Sequence, residues 1–132
     1  MTANISRRRA GFAVLACSIL AGPVLAALAS EPALAHAHLQ SAIPPVEGTV
    51  EAAPAAVTLT FSEALEPRFS SIEVKDAAGK RVDDAKPHSE AGDAKRFSVG
   101  IGKLPPGLYT VDWHATSVDT HRTEGSFHFT VK

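Results

Sequence analysis

Short runs that alternate apolar and polar residues set the strongest limit on how this chain can fold. The longest covers residues 109–115, and its alternate members Tyr109, Val111 and Trp113 share one side of an extended chain. Further runs occupy residues 57–61, 71–75, 96–101 and 125–131. Gly and Pro residues separate them, and no stretch keeps a helical period over three turns. About seven short strands therefore predict an all-β, immunoglobulin-like sandwich or barrel.

The remaining stretches predict how this sandwich is completed. Residues 36–41 are expected to form the first strand, residues 81–82 a short strand, and residues 83–95 a mobile, charged loop. A Gly-x-Tyr turn enters the penultimate strand, so Tyr109 is a candidate tyrosine corner. Trp113 lies further along the same apolar face and is expected in the core.

The first 35 residues have the pattern of a secretory signal peptide. Residues 7–9 are all Arg, an uncharged and mostly apolar run follows from Ala10 to Ala29, and small residues come next. We predict that residues 1–35 are removed on export and that residues 36–132 form the mature domain. The protein would then be periplasmic and not inserted in the membrane.

Several alternatives for this segment stay open at the level of sequence. The apolar run could nearly span a bilayer as an uncleaved anchor. Cleavage after Ala29 would leave Ser30 as the first residue. Cleavage after Ala35 would leave His36, and we prefer this site because it lies beyond the helix breakers, where a peptidase finds extended backbone. Residues 6–9 loosely resemble a twin-arginine signal, so general secretory and twin-arginine export are not distinguished.

Charge and sulfur content limit the ligands of residues 36–132. The whole chain has 13 Lys and Arg against 14 Asp and Glu, and three of the basic and one of the acidic residues precede His36. The domain is therefore slightly acidic and offers no basic footprint for nucleic acid. Cys17 and Met1, the single Cys and the single Met, also precede His36, so soft metal ions lack their usual ligands there. All six His residues remain, which favours a hard or borderline ion.

Three residues form a candidate metal site. Asp119 and His121 stand one residue apart, and an extended backbone would direct both side chains to the same side. As a new N-terminus, His36 would offer an α-amino group and a ring nitrogen, and an amine with a pKa near ~8 loses its proton readily to a strongly binding metal ion. Three nitrogens and one oxygen suit tetragonal Cu(II). The sequence does not show whether His36 and the Asp119–His121 pair lie at the same end of the sandwich.

Four segments in this order carry a family resemblance. They are Ala-His-Ala-His-Leu at 35–39, Leu-Thr-Phe-Ser-Glu at 59–63, Pro-Gly-Leu-Tyr-Thr-Val-Asp-Trp at 106–113 and Ser-Val-Asp-Thr-His at 117–121. Over essentially the whole mature chain, they resemble the CopC/PcoC/YobA family of periplasmic copper-binding proteins. The resemblance implies a seven-stranded immunoglobulin-like fold and a Cu(II) site built from the amine and imidazole of His36 with Asp119 and His121. A Met-rich Cu(I) site found in some members should be absent, and Thr120 replaces the Gly of many members.

The function predicted from these features is Cu(II) binding in copper homeostasis or resistance, without enzymatic activity. The domain is expected to be a monomer that buffers copper or delivers it, and the resemblance implies an inner-membrane importer of the CopD type as a candidate partner. The alternative is a secreted copper oxygenase with an N-terminal His, which would need a flat aromatic surface. A purely structural immunoglobulin-like module would leave His36 and the Asp119–His121 pair unexplained.

The other His residues have simpler interpretations. His38 is third from the expected terminus, a pattern that lets an unstructured terminus wrap Cu(II) or Ni(II) with backbone amides, although a folded first strand should oppose this. His114 and His128 are predicted to face solvent on the two closing strands, where they could meet as a cross-strand pair. His88 is expected to be exposed.

Overall fold

Two four-stranded sheets make up the part of the chain that the structure, a computed structural model, describes, residues 36–132. The strands are β1 (Leu39–Ile43), β2 (Gly48–Val50), β3 (Ala56–Phe61), β4 (Ser71–Lys75), β5 (His88–Glu90), β6 (Asp93–Gly100), β7 (Gly107–Thr116) and β8 (Arg122–Val131), with one 3₁₀ turn at Pro67–Phe69. The predicted signal segment, residues 1–35, lies outside the described residues.

The eight strands are divided equally between the two sheets. One sheet has the order β1-β3-β6-β5 and the other β2-β8-β7-β4. Neighbouring strands are antiparallel except β2, which runs parallel to β8. The fold is therefore all-β and immunoglobulin-like, as predicted. Within residues 36–132, no helix is long and apolar enough to cross a membrane.

The core lies between the inner faces of the two sheets, where the alternating residues of the sequence meet. Phe61 of β3 contacts Trp113 of β7 edge to face, with ring centroids 5.2 Å apart. Burial of such aromatic pairs provides both apolar area and a favourable ring geometry. Tyr109 is also buried, and its hydroxyl donates to the Pro105 carbonyl oxygen at 2.7 Å, which confirms the predicted tyrosine corner.

The structure departs from the predicted fold in a few details. The described residues contain eight strands where about seven were predicted, because β2 and β5 are additional and residues 81–82 form no regular strand. The stretch at 83–95 is not one mobile loop, since it includes β5 and the start of β6. Arg81 makes only an isolated bridge with Lys75 and no regular strand. These pieces are short or face solvent, so they lack the apolar alternation that identifies a half-buried strand.

Substitution of Gly125 in β8 tests the packing of the core directly. A Cβ at this position would lie 2.5 Å from the Trp113 ring, so Gly125→Ala must displace that ring. We expect a loss of about 1–3 kcal/mol in unfolding free energy, measured by chemical denaturation. Gly102→Ala is the matched control because its Cβ would have no atom within 4 Å. Equal stability of the two variants would contradict this packing.

Candidate metal centre

The segment from His36 to His38, here called the N-terminal arm, is fixed to the body of the domain before β1 begins. Ala37 is 0% exposed, and its carbonyl oxygen accepts a hydrogen bond from the Thr123 hydroxyl at 2.7 Å. The Ser62 hydroxyl accepts from the His38 amide at 2.9 Å and donates to the His36 carbonyl oxygen at 3.2 Å. We call Ser62 and Thr123 the terminal clamp. It holds the arm against the start of β8.

A tight turn, residues 117–121, joins β7 to β8 beside the arm. The two strands pair as far as Thr116 and Arg122. The turn is closed by hydrogen bonds from the Ser117 amide to the His121 carbonyl oxygen at 2.9 Å and from the Thr120 amide to the Ser117 carbonyl oxygen at 2.8 Å. Thr120 has a φ of 74°, the left-handed region that Gly adopts most easily. The backbone at 119–121 is therefore not the extended one considered above, and a turn brings Asp119 to His121.

The arm and the turn meet, so all three predicted residues lie at one end of the sandwich. The rings of His36 and His121 contact edge to face, with centroids 5.3 Å apart. His121 Nδ1 lies 3.1 Å from Asp119 Oδ2, and these two side chains are 44% and 42% exposed. The His38 ring is 6.2 Å from that of His36. His36 therefore lies at the same end of the sandwich as Asp119 and His121, which the sequence alone did not show.

The surroundings of Asp119 favour the ionised form of its carboxylate. The Ser117 side chain is nearly completely buried and donates a hydrogen bond to Asp119 Oδ1. This hydrogen bond is the main cause of a lowered pKa for Asp119, and the His121 ring lowers that pKa further. Asp119 therefore keeps its negative charge to lower pH than an ordinary Asp. The second carboxylate oxygen, Oδ2, faces His121.

The donors at this end fit a borderline metal ion, although their side chains do not already surround one point. Among residues 36–132, no three or more His, Cys, Asp or Glu side chains stand together in the arrangement of a metal site. The three residues instead touch in pairs, and Asp119 and His121 are occupied with each other. A free α-amino group at His36 would add a nitrogen that no side chain supplies. Two imidazoles, an amine and a carboxylate, without sulfur, suit Cu(II).

The remaining His residues, His88, His114 and His128, lie on strands β5, β7 and β8. His114 Nε2 is 3.2 Å from Glu124, and His128 Nδ1 is 3.4 Å from Glu47. Both face solvent as predicted, but they do not form a cross-strand pair, because His114 is opposite Glu124 and His128 is opposite Thr110. His88 is exposed in β5.

Sequence reasoning missed the residues that position the site. Ser62, Ser117 and Thr123 form hydrogen bonds that depend on contacts across turns and between strands. Ser and Thr are common in strands and turns of any β-sandwich, so nothing in the local sequence marks these three. The only signal available was that Ser62 and Ser117 stand inside two of the segments that carry the family resemblance.

Fold and site together define the class of this domain: a small immunoglobulin-like β-sandwich that gathers nitrogen and oxygen donors at one end. Comparison with known families gives the narrower assignment. The family model described as the CopC domain matches residues 39–132. The chain belongs to this family, and relatives that it matches include proteins named for copper resistance and copper transport.

Individual relatives agree with the family assignment. Protein YobA of Escherichia coli K12 is 40% identical over 99 residues, which are 74% of this chain and 80% of the relative. Copper resistance protein C of Escherichia coli is 36% identical over 126 residues, covering 90% and 98% of the two chains. Copper transport protein CutJ of Bacillus subtilis is 32% identical over 98 residues, 74% of this chain but 18% of that protein.

A solved structure shows the same architecture. The crystal structure of CopC from Methylosinus trichosporium OB3b superposes with a TM-score of 0.69 at 33% sequence identity, covering 74% of this chain and 94% of that one. The 74% of this chain that superposes is about the length of residues 36–132, which form the β-sandwich. The fold prediction is thereby supported by both sequence and structure.

Proposed function

We propose that this protein binds one Cu(II) ion in the periplasm and buffers it or passes it on, with the amine and ring of His36, the Asp119 carboxylate and the His121 ring as ligands. The observation that carries the proposal is the contact of His36 with His121 at 5.3 Å, next to the Asp119–His121 pair at 3.1 Å. Residues 36 and 121 are far apart in sequence, so their contact reflects the fold of the domain and not local chain proximity.

The exposure of these side chains favours transfer of the ion over permanent storage in a core. His121 and Asp119 are 44% and 42% exposed, so a bound ion would remain within reach of a second protein. The relative CutJ is named as a copper transport protein and contains the matched region as 18% of its length. A membrane importer of the CopD type is therefore our candidate recipient for copper delivered by this chain.

The alternative of a copper oxygenase has less support. Such an enzyme needs exposed aromatic side chains next to the metal to hold an extended substrate. The single Trp and the single Tyr of this chain, Trp113 and Tyr109, are 8% and 4% exposed and belong to the core, which leaves Phe69, 64% exposed, as the one large exposed aromatic side chain among residues 36–132. Asp119 would also occupy a position that an oxygenase leaves open. We therefore propose a binding role and no enzymatic one.

Metal choice tests the proposed function. We expect the exported protein to bind one Cu(II) ion strongly and Cu(I) weakly, because amine, imidazole and carboxylate ligands without sulfur favour the divalent ion. Spin resonance during Cu(II) titration should report a single tetragonal, nitrogen-rich site, and competition with a Cu(I) chelator under reducing conditions should give low affinity. Preferential capture of Cu(I) would contradict the proposal.

A further inference from the structure

We propose that the terminal clamp, Ser62 and Thr123, selects between two metal-binding modes of the N-terminal arm. In the mode described above, His36 works with Asp119 and His121. In the other, the arm alone wraps a Cu(II) or Ni(II) ion, and the clamp keeps this latent site closed. The inference rests on the proposed function, since both modes use a free α-amino group on His36.

The latent site follows from the residues of the arm. His36-Ala37-His38 places an imidazole third from the expected terminus. The α-amino group, the amide nitrogens of Ala37 and His38 and the His38 ring nitrogen can then surround one ion in a plane. The ion displaces one proton from each of the two amides and one from the protonated α-amino group, these protons pass to solvent, and no electron is transferred. A planar set of four nitrogens suits Cu(II) and Ni(II).

Ser62 opposes this mode because it engages the amide that the metal would have to deprotonate. The His38 amide donates to Ser62 Oγ at 2.9 Å, and the same hydroxyl donates to the His36 carbonyl oxygen at 3.2 Å. The Ser62 amide in turn donates to the His38 carbonyl oxygen at 2.9 Å. Wrapping the ion therefore requires the arm to give up the hydrogen bond of the His38 amide, and the other two hydrogen bonds to Ser62 oppose any movement of the arm.

Thr123 opposes the same change from the other sheet. Its hydroxyl donates to the Ala37 carbonyl oxygen at 2.7 Å, and the Ala37 side chain is completely buried in the core. A wrapped arm would pull Ala37 away from this position and expose the apolar surface that it covers. With the arm fixed, the His36 ring stays 5.3 Å from that of His121. The clamp thus favours the three-residue site over the latent one.

Ni(II) distinguishes the two modes, because a planar amide-bound Ni(II) ion is diamagnetic whereas Ni(II) with imidazole and carboxylate ligands is paramagnetic. The test uses the exported protein with its first residue verified by intact mass. Wild type should form the diamagnetic Ni(II) complex only weakly at neutral pH. Relative to wild type, Ser62→Ala should strengthen formation of that complex about tenfold and Ser62→Ala with Thr123→Val about 100-fold, as expected for the loss of two and of all three hydrogen bonds that the clamp hydroxyls make with the arm.

Matched variants separate the clamp from general destabilisation. Ser62→Thr keeps the hydroxyl and should behave as wild type, and Thr123→Val keeps the side-chain volume, so the fold can be verified for both by circular dichroism. Adding His38→Ala to the double variant should abolish the gain, because the wrapped mode needs that ring. A double variant that forms the diamagnetic Ni(II) complex no more strongly than wild type would overturn the inference.

Failure of the proposed function can be distinguished from failure of the inference, because different measurements test the two. That function is judged by Cu(II) affinity in wild type and in His121→Ala, whereas the inference is judged by the Ni(II) complex of the clamp variants. If His121→Ala leaves Cu(II) affinity intact while the clamp variants gain the diamagnetic complex, the proposed three-residue site fails, and the part of the inference that stands is that the clamp keeps the latent site closed. If His121→Ala weakens Cu(II) binding and the clamp variants gain nothing, only the inference fails.

Discussion

Placing Gly-Ser before His36 is expected to weaken Cu(II) binding at least ~100-fold. The extension converts the α-amino group into an amide, which is no longer basic and does not serve as an easy ligand. The rings of His36 and His121 and the Asp119 carboxylate all survive the change. A site made from side chains alone would keep its affinity, whereas the proposed site loses one nitrogen and a chelate ring. Competitive titration against a Cu(II) chelator measures the difference.

Two controls make this experiment specific. The same dipeptide added after Lys132 changes length and composition but leaves the N-terminus intact, so it should not alter Cu(II) affinity. His38→Ala on the native terminus should also change Cu(II) affinity little, because the clamped arm does not use that ring as a ligand. Unchanged affinity in the N-terminally extended protein would refute the role of the amine. By the same reasoning, we expect that a precursor that retains residues 1–35 will not form the complete site.

Replacing the two proposed ligands in the turn, Asp119 and His121, is the second change with a large expected effect. We expect His121→Ala to reduce Cu(II) affinity at least ~100-fold and Asp119→Ala at least ~10-fold, since even residues outside the ligand set of a metal often contribute factors of this size. Both side chains are nearly half exposed, so the unfolding free energy should change little. Calorimetric or competitive titration gives the affinity, and thermal unfolding verifies the fold.

His114→Ala and His128→Ala are the matched controls for this pair. Each removes an imidazole from the solvent-facing side of β7 or β8, where it lies beside Glu124 or Glu47. Cu(II) affinity should remain as in wild type in both variants. Loss of binding in either of them, together with normal binding by Asp119→Ala, would show that the site lies on the sheet face and not at the end of the sandwich.

The long strands were predictable because their apolar residues repeat every second position along a half-buried sheet. Residues 71–75 were predicted as a strand and form β4 with the same bounds. β5 and the start of β6 were missed since their residues are mostly polar and none is buried, so no alternation marks them. Pairing of β5 with β6, and not their own composition, makes these residues strands.

The candidate site was only partly accessible from sequence. Asp119 and His121 are close in sequence, so their proximity was expected, but it arises from the turn at Thr120 and not from an extended backbone. The contact between His36 and His121 depends on how the arm docks between the sheets, which no local pattern encodes. The hydrogen bonds of Ser62 and Thr123 that produce this docking appear only once the sheets are assembled.

The N-terminal residue of the exported protein tests the central claim most directly. Intact-mass measurement and N-terminal sequencing of the protein recovered from the periplasm both report it. The account predicts His36, because only a free amine at that residue completes the Cu(II) site next to Asp119 and His121. A protein that begins at Ser30, or one that retains residues 1–35, would place the amine on another residue and contradict the claim.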